Sequence, residues 1–130
     1  MKKICVLLFS ICSALALTAQ SSQAQFDAIE KAIKNANTTE LSSYFANTVE
    51  CDLLGEEGTY SKTQATLVVK RFFEKQVPKN FSFKHSSDKQ AVKYAIGTLQ
   101  AENGNNIRVT VFFKTENNAI KIQQLRAEKE

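Results

Sequence analysis

The sequence predicts an α+β domain. Three observations carry this. Apolar residues recur at helical spacing in two stretches, about 26–36 and 61–77. From Phe81 onward, apolar and polar residues alternate with a period of two. The alternating stretches are joined by tight-turn signals, Asn103-Gly104 and Glu116-Asn117-Asn118. Helices kept apart from hairpin-linked strands give segregated α+β layers, with an antiparallel sheet covered by helices on one face. The expected order is α-α-β-α-β-β-β-β.

The first helix is expected from about Phe26 to Ala36, with Phe26, Ile29, Ala32, Ile33 and Ala36 on one face. Asn37-Thr38-Thr39-Glu40 reads as a cap with a carboxylate three residues on. A short second helix then runs to about Ala46, with Leu41, Tyr44 and Phe45 inward. Val49 to Leu54 alternates as a strand, and Gly55-Glu56-Glu57-Gly58 reads as a turn or loop. Ser61-Lys62-Thr63-Gln64 is a capping box opening the long helix. Its stripe is Ala65, Val68, Val69, Phe72 and Phe73, and Pro78 ends it. Four strands complete the chain. Phe81, Phe83 and His85 share a face of the first. Val92, Tyr94 and Ile96 form the inward face of the next. Ile107, Val109, Val111 and Phe113 lie opposite Arg108, Thr110, Phe112 and Lys114 on the third, and the last runs from Ala119 to about Ala127.

The N-terminus has the three parts of a cleavable signal peptide. Lys2 and Lys3 precede an apolar run from Ile4 to Leu17, and small and polar residues follow. Ser22-Gln23-Ala24 suits cleavage after Ala24, leaving a single domain over 25–130; cleavage after Ala19 is the alternative. The run is short of the roughly 20 apolar residues that a spanning helix needs. Neither Cys5 nor Cys12 sits where a lipid-anchored cysteine would, so no stable membrane anchor is expected after cleavage. The protein is expected to be exported, periplasmic or extracellular, from a Gram-negative bacterium. The whole chain carries a net charge of +4, and loss of Lys2 and Lys3 leaves +2. That near-balance argues against a nucleic-acid partner. Cys51 is the one cysteine left, so no intramolecular disulfide can form. Its alternation with Val49 and Leu53 reads as a buried small apolar residue. One histidine and one cysteine far apart make no metal set, and no cofactor is expected.

The run Tyr60-Ser61-Lys62-x-Gln64-Ala65, then Phe72-Phe73 before Pro78, then Phe81-x-Phe83-x-His85, carries a family resemblance. So do Tyr94-Ala95-Ile96-Gly97-x-Leu99, Gly104 before Ile107-Arg108-Val109, and Ile122-Gln123-Gln124-Leu125. In this order the chain resembles the nuclear transport factor 2-like superfamily (cystatin-like α+β cones). It is most similar to a branch of small exported bacterial proteins described as a domain of unknown function. The resemblance implies a bent antiparallel sheet wrapped on a long helix, a cavity between them, and often a homodimer through the outer sheet face. The superfamily holds enzymes such as ketosteroid isomerase and scytalone dehydratase beside binding and association modules, so fold does not settle function.

The candidate pocket residues are Tyr60, Phe72, Phe83, His85, Tyr94, Arg108 and Phe112. His85, the only histidine, is a candidate acid or base, and Tyr94 a candidate oxyanion donor. Arg108 has the planar fork for an anionic ligand. No carboxylate matches an isomerase base: Glu50 and Asp52 face water, Asp88 lies in a loop and Glu102 beside a turn. The leading reading is a non-catalytic module that binds a small molecule, a peptide or a protein. The alternatives are an isomerase- or dehydratase-type enzyme using His85 and Tyr94, and a self-associating envelope protein.

Overall fold

A computed structural model describes residues 22–87 and 93–130. Of the expected signal peptide over 1–24, residues 1–21 lie outside the described residues, as do Asp88 and Val92 in the 88–92 segment. The elements are α1 (Ser22–Lys34), α2 (Thr38–Ser42), β1 (Phe45–Leu53), β2 (Glu56–Ser61), α3 (Lys62–Lys75), β3 (Pro78–Ser87), β4 (Lys93–Ala101), β5 (Asn106–Glu116) and β6 (Ala119–Lys129). The strands form one six-stranded bent sheet in the order β2-β1-β6-β5-β4-β3. Neighbours pair antiparallel except β1 and β6, which run parallel. A parallel pair needs a long crossover; here everything from β2 to β5 supplies it.

The helices line the inner face. α1 buries Phe26, Ile29, Ala32 and Ile33 of the expected stripe, while Ala36 falls beyond its end with φ 51°, and Phe26 stacks tilted on Phe113 at 5.1 Å between ring centres. Two polar side chains of α1 tie it to the sheet. The buried Gln25 accepts the Ile120 N–H through Oε1 at 3.1 Å, and Glu30 Oε2 accepts the Phe83 N–H at 2.8 Å. The second bond lies on the free side of β3, a sheet edge, so it closes a donor that an edge would otherwise offer to another chain. α2 is shorter than expected. Asn37 caps it by accepting the Glu40 N–H at 3.1 Å, but Phe45 leaves the helix and opens β1 opposite Ile122. α3 starts as expected, with Ser61 Oγ accepting the Gln64 N–H at 3.2 Å. It buries Ala65, Val68, Val69 and Phe73 and stops ahead of Pro78.

Two findings refine the strand reading. Gly55–Gly58, expected as a turn or loop, runs from Glu56 into a further short strand, Glu56–Ser61. Within it the Tyr60 ring lies over Gly58, in the space a Cβ would occupy. The inward face of β4 is Ala95, Gly97, Leu99 and Ala101, so Tyr94 and Ile96 point outward rather than inward. The physical reason is Phe81. Its ring fills the inner side of Gly97, where no side chain fits. Bulges at Lys84 in β3 and at Gln123 in β6, the latter opposite Phe112 and Phe113, add bend. Asn117 and Asn118, with φ of 48° and 64°, close the β5–β6 hairpin with a left-handed two-residue turn.

Gly97→Ala would drive a methyl into the Ser82 carbonyl oxygen and the Phe81 ring. It is expected to cost about 3 kcal/mol by overpacking. Gly58→Ala should cost only about 1 kcal/mol, because the free end of the Tyr60 ring can swing aside. Denaturant midpoints of the two variants against wild type measure this, and equal losses would contradict it.

Candidate functional site

The space inside the cone is nearly closed. Ile33, Leu41, Leu53, Val69, Phe72, Phe73, Val109, Leu125 and Ala127 enclose an apolar void of about 20 Å³. That is room for about one water, and an apolar void of this kind stays dry. At the mouth of the cone, Leu53, Leu54, Glu56, Val68, Arg71, Phe72, Lys75 and Gln76 line a groove of about 90 Å³. Small-molecule sites run from roughly 300 Å³ upward. Neither space reaches that size, and Phe72 stands between them as a plug.

The candidate residues therefore do not meet in one pocket. Tyr60, Phe72 and Phe83 pack on the inner side against the core. Phe83 meets Phe81 edge-on at 5.0 Å. Tyr94, Arg108 and Phe112 stand on the outer face. His85 is exposed, with its backbone paired to Ile96 because Lys84 is the extra residue of the β3 bulge. That bulge breaks the expected alternation of Phe81, Phe83 and His85. His85 and Tyr94 do become diagonal neighbours, but on the open side of the sheet. A groove of about 110 Å³ between α1 and the β3 edge, lined in part by Glu30, Phe83 and His85, is equally open to solvent. Arg108 reaches Glu130 at 4.0 Å across exposed surface instead of a ligand cavity.

The registers line up the outer face in two rows that cross all six strands. One is Thr59, Glu50, Gln124, Phe112, Tyr94 and Ser87; the other is Glu57, Asp52, Arg126, Thr110, Ile96 and His85. No residue of either row is buried. Tyr94 and Phe112 face each other across β4 and β5 with ring centres 6.5 Å apart, and Ile96 and Thr110 are the next pair along. A half-buried aromatic and aliphatic patch thus occupies the β4–β5 part of the face. Toward β1 and β2 the same face sinks into a shallow depression of about 510 Å³ lined by Glu50, Asp52, Glu57, Thr59, Gln124 and Arg126. Ile96, Thr110 and Gln124 were not singled out from sequence. The available signal was Phe112, a large aromatic set among Arg108, Thr110 and Lys114 on the polar side of its strand.

Among the described residues, no group of three or more His, Cys, Asp or Glu side chains is placed to hold a metal. None of the described helices is long and apolar enough to cross a membrane. Cys51 is 2% exposed, on the inner side of β1. Desolvation by burial lifts its thiol from the ordinary 9.0 to about 11.

A family model described as "Domain of unknown function (DUF4783)" matches residues 26–128. Solved structures of DUF4783 family proteins are similar over most of their length. One from Bacteroides ovatus is 31% identical, with a TM-score of 0.74 over 79% of this chain and 93% of the other. One from Bacteroides fragilis is 27% identical, also with a TM-score of 0.74, over 79% and 96%. An NTF2-like protein of unknown function from Cytophaga hutchinsonii, 9% identical, has a TM-score of 0.60 over 85% and 90%, a likeness of fold alone. The cone is thus NTF2-like. No curated protein matches the chain.

Cys51 gives a pH prediction with a definite sign. The folded chain holds the thiol proton up to about pH 11, whereas the unfolded chain releases it near 9.0. The contribution is therefore complete below pH 9 and is lost as pH rises toward 11. Denaturation midpoints from pH 8 to 11 should fall further for wild type than for Cys51→Ala. In the native state at neutral pH the thiol should resist a disulfide reagent until the chain opens. Rapid modification without unfolding would contradict the burial.

Proposed function

The chain belongs to the DUF4783 family, and from that premise we propose that it is an exported, non-catalytic association module whose working surface is the outer face of the sheet. The observation that carries this is the contrast between the two faces. The inner face is filled to a void of about 20 Å³, while the outer one presents Tyr94, Ile96 and Phe112 half-buried beside threonine and glutamine. Interface cores are enriched in aromatic residues and depleted of charge. An open, mixed surface of this kind suits a protein or peptide rather than an enclosed small molecule. Export rests on the signal-peptide pattern before Gln25. Both cleavage positions keep the Gln25 side chain that accepts the Ile120 N–H.

Two measurements test the reading. A photo-crosslinking amino acid at Thr110 should capture a protein in the exporting cell, and the same group at the exposed Leu67 on α3 should not. Absence of adducts at Thr110, or equal capture from both positions, would contradict the outer face as the working surface. N-terminal sequencing of the exported protein should begin at Gln25, or at Gln20 for the alternative cleavage. A protein that keeps Met1 and stays in the cytoplasm would sink the export part.

A further inference from the structure

Both expected cleavage positions leave a glutamine first. Cleavage after Ala24 makes Gln25 the first residue, and cleavage after Ala19 makes it Gln20. An N-terminal glutamine can react with itself, because its α-amine reaches its own side-chain carbonyl carbon and closes a small lactam ring. The structure singles out Gln25. Among the described residues it is the one buried polar residue, 7% exposed. Its side-chain oxygen stands where a strand partner is missing. Ile122 lies opposite Phe45 at the start of the β1–β6 pairing and donates its N–H to the Tyr44 carbonyl at 2.7 Å. Ile120, two residues earlier, is buried and lies before β1 begins, and its N–H goes to Gln25 Oε1 at 3.1 Å. A buried N–H without an acceptor there would be costly, so β6 needs a carbonyl oxygen from residue 25. Gln25 also sits in the first turn of α1. A chain that began at this residue would put an α-ammonium at the end of the helix where the dipole disfavours positive charge.

Resting on the export reading above, we propose that Gln25 is a modification site. After cleavage behind Ala24, its α-amine attacks its own Cδ, the amide nitrogen leaves as ammonia, and residue 25 becomes a pyroglutamyl lactam. One N–C bond forms and one breaks. The amine gives a proton to the departing nitrogen, and nothing is oxidised or reduced. The step removes the terminal charge from the start of α1 and keeps a carbonyl oxygen on residue 25. Ring closure draws the side chain back toward its own nitrogen. With no peptide before it, the residue can turn about its Cα–C bond and bring the lactam oxygen to the Ile120 N–H. The same contact sets the order of events. In the folded chain the side-chain carbonyl is buried and engaged on Ile120, so it must leave β6 before its carbon can meet the amine. Closure therefore belongs to the unfolded chain as it emerges from export, and folding then buries the finished lactam.

The experiment weighs the exported protein intact and reads its N-terminus from fragment masses. Wild type should begin at residue 25 and be lighter than the 25–130 sequence by one ammonia. Gln25→Glu keeps an acceptor oxygen but closes far more slowly, and it should be exported at its full sequence mass. Mature chain freshly released with an open Gln25 should close at least about ten-fold more slowly when folded than in denaturant, because closure then waits for local opening. In the lactam form the Ile120 amide should be as protected from hydrogen exchange as in the open form, and it should lose that protection in Gln25→Ala. Should Gln25→Ala fail to fold, the open and lactam forms of wild type make the comparison alone. An exported chain that begins at Gln25 with a free amine would overturn the modification and leave export standing. A chain that keeps Met1 would overturn export and this step with it. A lactam at Gln20 would overturn Gln25 as the site. Equal closure rates folded and unfolded would overturn the order of events, and an unprotected Ile120 amide in the lactam form would overturn the lactam's seat on β6.

Discussion

The rest of the structure depends on the contact between the Phe81 ring and the bare backbone of Gly97. The inner face of a sheet that bends has less room than its outer face. Here the crowding is relieved by removing a side chain from β4 and laying an aromatic ring from β3 across the gap. Ala95 keeps the same face of β4 shallow on one side of it. The sheet can then come down onto α1 and α3, and Phe26 can reach Phe113. Because that contact consumes the space beneath β4, it is also one reason the cone encloses no ligand-sized cavity.

Much of this fold was legible in the sequence because it is written in strong periodicities. The α1 and α3 stripes, the Ser61 cap, the stop at Pro78 and the inward face of β5 are all read from spacing, and the structure keeps them. The errors fall where one residue overrides a pattern. On β4 the alternation was read with the large residues Tyr94 and Ile96 inward, the usual preference of a strand. Phe81 reverses that choice from a different strand, and nothing local to β4 announces it. On β3 the extra residue at Lys84 flips the face after Phe83, so His85 ends outside. The Gly55–Gly58 segment carries turn composition, yet its second glycine lies in a strand beneath the Tyr60 ring. The β4 case is packing between elements deciding a local preference.

The candidate site was less legible for the same reason. Its residues were chosen for the chemistry of their side chains, but whether chemistry is available depends on which residues share an enclosed space. The bulge and the β4 reversal scatter them over both faces. Phe72 and Phe83 become packing, Arg108 becomes a surface cation beside Glu130, and His85 and Tyr94 become neighbours in the open. Acid–base catalysis by such a pair would lack the desolvation that tunes a side chain for proton transfer.

Filling the inside has a consequence for the outside. A six-stranded sheet has two faces, and helices cover only one of them. Where the interior offers no binding space, the uncovered face and the two edges are what remain for recognition. The edges are guarded by different means: β3 by the Glu30 carboxylate and its bulge, β2 by its short length and its glutamates. Both devices discourage strand addition while leaving the face itself free. The face is not uniformly polar, as a purely solvated one would be. It carries acids over β1 and β2 and an aromatic and aliphatic patch over β4 and β5.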